Sequence, residues 1–282
     1  MSSPLHDLEC RLAGLLGRRH CVAVGRGATA IYLALRALGR SSGKVVLPAV
    51  VCPSPASVTL YAGLEPVFCD ISLDDFNLDP ASLVRVLDRH SDAVAVMPVH
   101  LYGQAAPIEA ITAIARARGL AVIEDAAQAV GGSHHGRPLG SFGDISILSF
   151  GHTKTLDTGW GGAALTDDDG LAERMRAARD ELPACPANIN ELYAEYRRVY
   201  YALKPLADTN PRFDELFLPL PGLFRDMHLF TLDESRVAPI QAALDLLPAL
   251  VDARRQHARR YREELAGTDL HLPRADAGPA PW

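Results

Sequence analysis

The chain has 282 residues, a formal net charge of −6 and 48% hydrophobic residues, enough apolar sequence for one large domain or for a large and a small one. Its Arg and Lys are scattered among acids and leave no basic footprint for nucleic acid. Five cysteines (Cys10, Cys21, Cys52, Cys69, Cys185) without C-x-x-C spacing argue against a disulfide framework or a zinc site, and no segment approaches the roughly 20 apolar residues of a membrane span.

In chain order, Leu8 to Leu16 has the spacing of a short amphipathic helix, and Arg11, Arg18 and Arg19 break its apolar run before a signal h-region can form. Cys21-Val22-Ala23-Val24 reads as a buried strand. Gly25-Arg26-Gly27-Ala28-Thr29-Ala30 then opens a helix through about Leu38, with Gly39 as its C-cap. A glycine turn at a helix start presents free N–H groups that favour an anion, although read alone it is equally an ordinary strand-to-helix turn. Lys44 to Leu47 is a second buried strand. Cys52 follows among prolines as an isolated thiol with nothing nearby in sequence to lower its pKa.

Pro66 to Asp70 is a short strand, and Asp79-Pro80 starts a helix to about His90, an acid cap followed by proline. Ala93 to Val99 is continuously apolar, as a parallel strand covered on both faces would be. His100-Leu101-Tyr102-Gly103-Gln104 comes next, with His100 read as a hydrogen-bonded structural histidine. Pro107 begins a helix with Ile108, Ile111 and Ile114 on one face, ended by Gly119. Val122 to Asp125 is a strand that delivers Asp125 at its carboxyl end. His134-His135-Gly136 reads as an exposed hairpin with no third metal ligand at a useful spacing. Ile145 to Phe150 is another strand, running into Gly151-His152-Thr153-Lys154 and the glycines Gly159, Gly161 and Gly162. This alternation predicts a three-layer α/β sandwich with a mostly parallel central sheet and a site at the strand carboxyl ends.

From about Leu171 the pattern is helical. Tyr193, Tyr196, Tyr200 and Tyr201 interleave with Arg197 and Arg198, either a core-and-rim stripe or a contact for a nucleotide or partner subunit. A long helix from about Asp233 carries Val237, Ile240, Ala243, Leu244 and Leu247 on one face, and Pro239 early in it implies a break or a later start.

An acid, a hydroxyl, a lysine and flexible backbone between Val122 and Ala164 suit a pyridoxal 5'-phosphate (PLP) site, where a lysine amine forms a Schiff base and an acid pairs with the pyridinium nitrogen. The motifs Asp125-Ala126-Ala127-Gln128, Gly140-Ser141-Phe142-Gly143-Asp144 and Ser149-Phe150-Gly151-His152-Thr153-Lys154, in that order, resemble the DegT/DnrJ/EryC1/StrS family of sugar aminotransferases. The resemblance runs from about Val22 to about Arg260 and includes His100 to Gln104 and the segment Arg236 with Gln241 to Leu244. It implies the major domain of a type I PLP-dependent transferase over residues 1–232, then a linking helix and the start of a small domain, expected to be incomplete, over 233–282. It further implies Lys154 and Asp125 as catalytic residues. Gly27, Ala28, Thr29, Cys52, Gln128 and Ser149 join those two as cofactor-binding positions: Gln128 near the cofactor's phenolic oxygen, Ser149 on its phosphate.

Three positions depart from the family pattern. Gly27-Ala28-Thr29 stands where G-T-A is usual, Cys52 where an aromatic stacks on the pyridine ring, and Glu234 where an asparagine reaches the partner subunit's cofactor phosphate. Either another donor, such as His152, replaces it, or the local backbone differs. The implied activity is transfer of an amino group, with glutamate as donor, to a ketone of a nucleotide-linked sugar, in a cytoplasmic homodimer and without a metal. The alternative is a catalytically silent truncated homologue that binds or regulates. A dinucleotide-binding oxidoreductase fits the loose G-x-G-x-x-A of Gly25, Gly27 and Ala30, but the strand ending at Leu47-Pro48 offers no acid for a ribose.

Overall fold

Alternating apolar strands and amphipathic helices assemble in the computed structural model into a single seven-stranded sheet between two helical layers. The structure describes residues 3–270 and 272, apart from positions 208, 213, 214 and 216–219. In chain order the elements begin α1 (Pro4–Leu16), β1 (His20–Val24), α2 (Gly27–Ala37), β2 (Lys44–Pro48), α3 (Pro53–Tyr61), β3 (Glu65–Cys69), α4 (Pro80–Arg89) and β4 (Ala93–Val96). They continue with α5 (Ile108–Ala117), β5 (Ala121–Asp125), the hairpin β6 (Ser133–His134) and β7 (Arg137–Pro138), β8 (Ile145–Ser149), β9 (Gly162–Thr166), α6 (Asp169–Asp180) and α7 (Ile189–Leu203). Two short helical turns, Leu220–Leu223 and Arg225–His228, precede the long α8 (Val237–Leu265).

The strand order is β1-β9-β8-β5-β4-β2-β3. The pairs β2–β3, β2–β4, β4–β5 and β5–β8 are parallel, while β9 runs antiparallel to both β8 and β1. One reversed strand in an otherwise parallel sheet leaves the carboxyl ends of β1, β2, β4, β5 and β8 on a common edge.

Period-two alternation divides the strand residues cleanly between the layers. Val22, Val24, Val45, Leu47, Ile123, Ile145 and Ile147 pack with α2, α3 and α6. On the other face, Cys21, Leu148, Ala163 and Leu165 pack with α1 and α8, and Val46, Val96 and Val122 pack with α4 and α5. Both faces are buried, which is why these strands read as continuous apolar runs. Along α8 the residues Val237, Ile240, Leu244, Leu247 and Val251 join the same core as α1. Positions 271 and 273–282, the end of the expected small-domain segment, lie outside the described residues.

Three boundaries differ from the sequence expectation for identifiable reasons. β4 stops at Val96 rather than Val99, because Pro98 has no N–H for the ladder; its carbonyl instead accepts the Asp125 N–H at 2.9 Å. Pro239 does not break α8, because the helix starts at Val237 and the third residue needs no intrahelical donor. Pro248 is the interior proline, and it leaves the Leu244 carbonyl without a helical N–H partner. The Asp79 cap is as expected, its carboxylate accepting from the Ala81 and Ser82 N–H groups at 3.2 and 2.8 Å.

The end of β5 is anchored by a buried carboxylate that sequence reasoning did not single out. Glu124 accepts the N–H groups of Gly140, Phe142 and Gly143 at 2.6, 2.7 and 2.8 Å and the His100 Nε2–H at 2.9 Å. The Ala106 N–H donates to His100 Nδ1 at 3.0 Å, so Nδ1 carries no proton and the imidazole is the neutral Nε2–H tautomer. His100 is therefore structural, as expected. Burial alone would raise the Glu124 pKa; the imidazole bond and the Gly143 and Gly140 amides outweigh it and hold the carboxyl below its usual value. Replacing Glu124 with Ala leaves buried donors unpaired, and the expected cost is roughly 3–5 kcal/mol of folding stability in urea titrations.

Candidate active site

The pocket lies over the carboxyl ends of β1, β5 and β8, walled by the α2 turn, the Lys154 loop and the start of α3. At the α2 turn the first intrahelical bond runs from the Ala30 N–H to the Arg26 carbonyl at 3.0 Å. The Gly27, Ala28 and Thr29 N–H groups precede it and form the positive end of the helix dipole. Gly27 and Ala28 line the pocket together with Ser149. A Cβ on Gly27 would stand 2.7 Å from Ser149 Cβ and 2.9 Å from its Oγ, and one on Gly162 would stand 2.4 Å from the Arg26 carbonyl carbon. The two glycines let the turn approach β8 and β9 closely, leaving a cradle of backbone N–H groups and one serine hydroxyl of the kind that hold a phosphate.

Thr29 corrects one expectation. Its side chain is fully buried and its hydroxyl donates to the His228 carbonyl at 2.6 Å, so it faces away from the pocket. What Thr29 offers an anion is its backbone N–H alone.

Asp125 sits on the opposite side of the cradle. It is 5% exposed, its Oδ1 accepts the Ala127 N–H at 2.9 Å, and its own carbonyl accepts the His100 N–H at 3.0 Å. Burial pushes its pKa up, against the Ala127 bond and the charge of Lys154. A desolvated carboxylate with spare acceptor capacity is a site for a cation, and a ring N–H⁺ meets that need. Gln128 Oε1 accepts the Tyr102 N–H at 3.0 Å, which leaves the amide NH₂ as the group that can donate into the pocket.

Lys154 and Cys52 both line the pocket. Lys154 stands in a loop held at both ends: Asp157 accepts the Thr153 and Gly159 N–H groups at 2.9 and 3.1 Å, and Arg254 of α8 donates to the Lys154 carbonyl at 2.9 Å. Thr153 has φ +70°, a left-handed conformation that a threonine adopts only where such bonds enforce it. Cys52 precedes α3 as its N-cap residue, and its thiol pKa is raised, desolvation and the nearby Asp125 outweighing Lys154. A thiol so shifted is a neutral, soft lining of the pocket rather than a nucleophile. Glu234 is exposed in a 3-10 turn and does not line the pocket.

Three pocket residues were not found by sequence reasoning in their actual role. Arg26, Trp160 and Tyr193 meet in the pocket lining, the Arg26 guanidinium carbon lying 4.9 Å from the Trp160 ring centroid and 5.2 Å from that of Tyr193. His152 completes the group, its ring stacked on Tyr193 at 6.1 Å. Tyr193 belongs to the tyrosine–arginine stripe, whose other members divide: Tyr196 packs on Phe224 and Tyr200, whereas Tyr201 is exposed. Away from the pocket, the His134-His135 turn is the expected hairpin, with His135 and Gly136 at φ +48° and +79°. The fold does bring up a third group, Glu109, whose Oε1 lies 3.4 Å from His135 Nδ1, correcting the expectation that none was near. The two imidazole centroids lie 4.0 Å apart with the ring planes tilted by 30°, and one ligand atom from each of the three residues falls within 4.8 Å of the others.

A mixed sheet of this order, with an acid at the end of a central strand and a lysine on the loop after the next strand, defines the aspartate-aminotransferase-like class. The family model of the DegT/DnrJ/EryC1/StrS aminotransferase family matches residues 3–195, and the chain belongs to that family. It is 40% identical over 176 residues to the GDP-perosamine synthase of Caulobacter vibrioides, covering 62% of this chain and 47% of that protein. To the UDP-N-acetyl-3-dehydro-alpha-D-glucosamine 3-aminotransferase of Acidithiobacillus ferrooxidans it is 33% identical over 273 residues, 96% of this chain and 64% of that one. Its fold matches the crystal structure of a DegT DnrJ EryC1 StrS aminotransferase from Brucella abortus with a TM-score of 0.77 at 27% identity, over all of this chain and 69% of the other. In the matches of highest identity the chain spans about half the length of the curated relatives.

His228 couples this site to pH. It is 4% exposed, donates from Nδ1 to the Phe224 carbonyl at 3.0 Å, and its pKa is pushed down to about 4, first by burial and then by the Arg26 charge. The unfolded chain therefore binds a proton that the folded chain refuses between about pH 6.5 and 4. Stability is expected to fall by up to about 3 kcal/mol as pH drops through that window. Urea titrations at pH 7 and 4.5 check this, the difference shrinking in His228→Phe.

Proposed function

We propose that the chain binds PLP through Lys154 and transfers an amino group to a keto group of a nucleotide-linked sugar, with glutamate as the donor. The observation that carries this reading is the convergence on one pocket of Lys154, Asp125, Gln128 and Ser149 with the α2 turn. These are the groups a phosphorylated pyridine aldehyde requires: a cradle that only glycine leaves open, a desolvated carboxylate and a tethered amine. Family membership and the printed activities of the sugar-aminotransferase relatives support the substrate class.

When bound, the cofactor supplies an electron sink that lets a proton leave the carbon bearing the amino group. Asp125 would hold the ring nitrogen protonated by charge pairing, its burial strengthening the attraction. The α2 N–H groups and Ser149 would hold the phosphate, and Gln128 would donate to the ring oxygen. The Lys154 Nζ would take the proton from the substrate carbon as a base and return it as an acid. Positioned proton transfer of this kind is typically worth about 10²–10⁴ in rate. On this reading residues 1–232 are the large PLP-binding domain, 233–282 belong to the linking helix and the start of a small domain, and two chains pair as a homodimer. Among the described residues no helix is long and apolar enough to cross a membrane, and the free cysteines suit a reducing cytoplasm.

Borohydride treatment after incubation with PLP, followed by peptide mass spectrometry, is expected to find a pyridoxyl group on Lys154. In Lys154→Ala that label should vanish and turnover with glutamate and a keto-sugar nucleotide should fall by at least about 10³. Full turnover in the variant would overturn the assignment. Absence of label in the unsubstituted chain would favour a silent binding role instead.

A further inference from the structure

Arg26 is an unusual cation. It caps the N-terminus of α2 with its backbone, at the residue before the Gly27 cradle, and its side chain lines the pocket, partly buried. Of its donors, one Nη1–H is used, on the Met227 carbonyl at 3.1 Å. The Trp160 and Tyr193 rings, themselves edge-to-face with centroids 5.7 Å apart, both lie against the guanidinium, which packs into the corner they form. Among the described residues it forms no ion pair with a carboxylate, whereas Arg11, Arg18 and Arg179 do so with Asp245, Asp167 and Glu9. Burial lowers its pKa from the usual guanidinium value, which raises the free energy of leaving the charge without an anion. The α2 turn contributes no side-chain hydroxyl to the pocket, since Ala28 has none and Thr29 is turned to His228.

We propose that Arg26, packed against Trp160 and Tyr193, is the phosphate-binding cation of this pocket. It acts beside the α2 N–H groups and Ser149, and the inference rests on the PLP reading above. A guanidinium presents two parallel N–H groups to a phosphate, and the two rings with the Met227 carbonyl hold the fork in advance, so little side-chain freedom is lost on binding. The same chemistry has two sources in this reaction: the cofactor's monoester and the diphosphate of the sugar nucleotide.

The test compares PLP with pyridoxal, which lacks the phosphate, by absorbance titration on the unsubstituted chain and on Arg26→Gln. A cofactor role is expected to weaken PLP binding by about tenfold to a hundredfold and leave pyridoxal unchanged. If PLP affinity is unaltered, titrating UDP and GDP into the PLP-loaded proteins reads the second source, with the same loss expected in the variant. Unchanged affinity for PLP and for both nucleotides would overturn the proposal. Arg26→Lys keeps the charge without the fork and should lie between the two proteins; it also supplies the comparison if Arg26→Gln does not fold. Competition by inorganic phosphate for the 8-anilinonaphthalene sulfonate or PLP signal is read on the unsubstituted chain and Arg26→Lys. Tighter phosphate binding by the former supports the role even if Lys154 takes no cofactor, so failure of the PLP reading and failure of the Arg26 assignment give different results.

Discussion

The structure depends on a pair of adjacent acids at the end of β5 that strand alternation sends to opposite sides. Glu124 turns into the protein and is saturated by three backbone N–H groups and the His100 imidazole. Asp125 turns into the pocket and accepts a single backbone N–H at Oδ1. One is a carboxylate whose environment already satisfies it; the other is desolvated and still seeks a cation. A buried charge of the first kind fixes geometry, and one of the second kind recruits a ligand. The Glu124 bonds gather the Gly140–Gly143 loop under β5, and through β5 they set where the Asp125 carboxylate can stand.

Around that strand end the fold arranges opposite electrical characters in one cavity. The α2 N–H groups, Ser149 and Arg26 bring positive or donor character, Asp125 a negative charge, and Lys154 and Gln128 line the same pocket. Several are fixed by contacts that do not involve a ligand: Gln128 by Tyr102, the Lys154 loop by Asp157 and Arg254, the Arg26 side chain by Met227 and two aromatic rings. A preformed arrangement of this kind leaves a bound ligand little reorganisation to impose.

Much of this was legible in the sequence. Sheet strands covered on both faces declare themselves as apolar runs, and the Asp79-Pro80 cap and the His134 to Gly136 hairpin carry local signals that tertiary contacts do not override. The motifs from Asp125 to Lys154 could be read because the site is built mainly from one contiguous stretch. What could not be read is what depends on distant partners. The Thr29 hydroxyl, one position later than the family pattern, has its partner at the His228 carbonyl, 199 residues away in sequence. Arg26 sat in plain view within the glycine turn, but the rings it packs against are at residues 160 and 193, and no spacing rule links those to position 26. Glu109 reached His135 only because α5 begins beside the hairpin.

The bond from Arg254 to the Lys154 carbonyl ties the reactive loop to a helix that starts 83 residues later. Arg254 lies past the middle of α8, one turn beyond Val251, the last of its core anchors. Any displacement of α8 around Arg254 is therefore passed, through one guanidinium on the Thr153 and Lys154 carbonyls, to the backbone of the loop that carries the lysine.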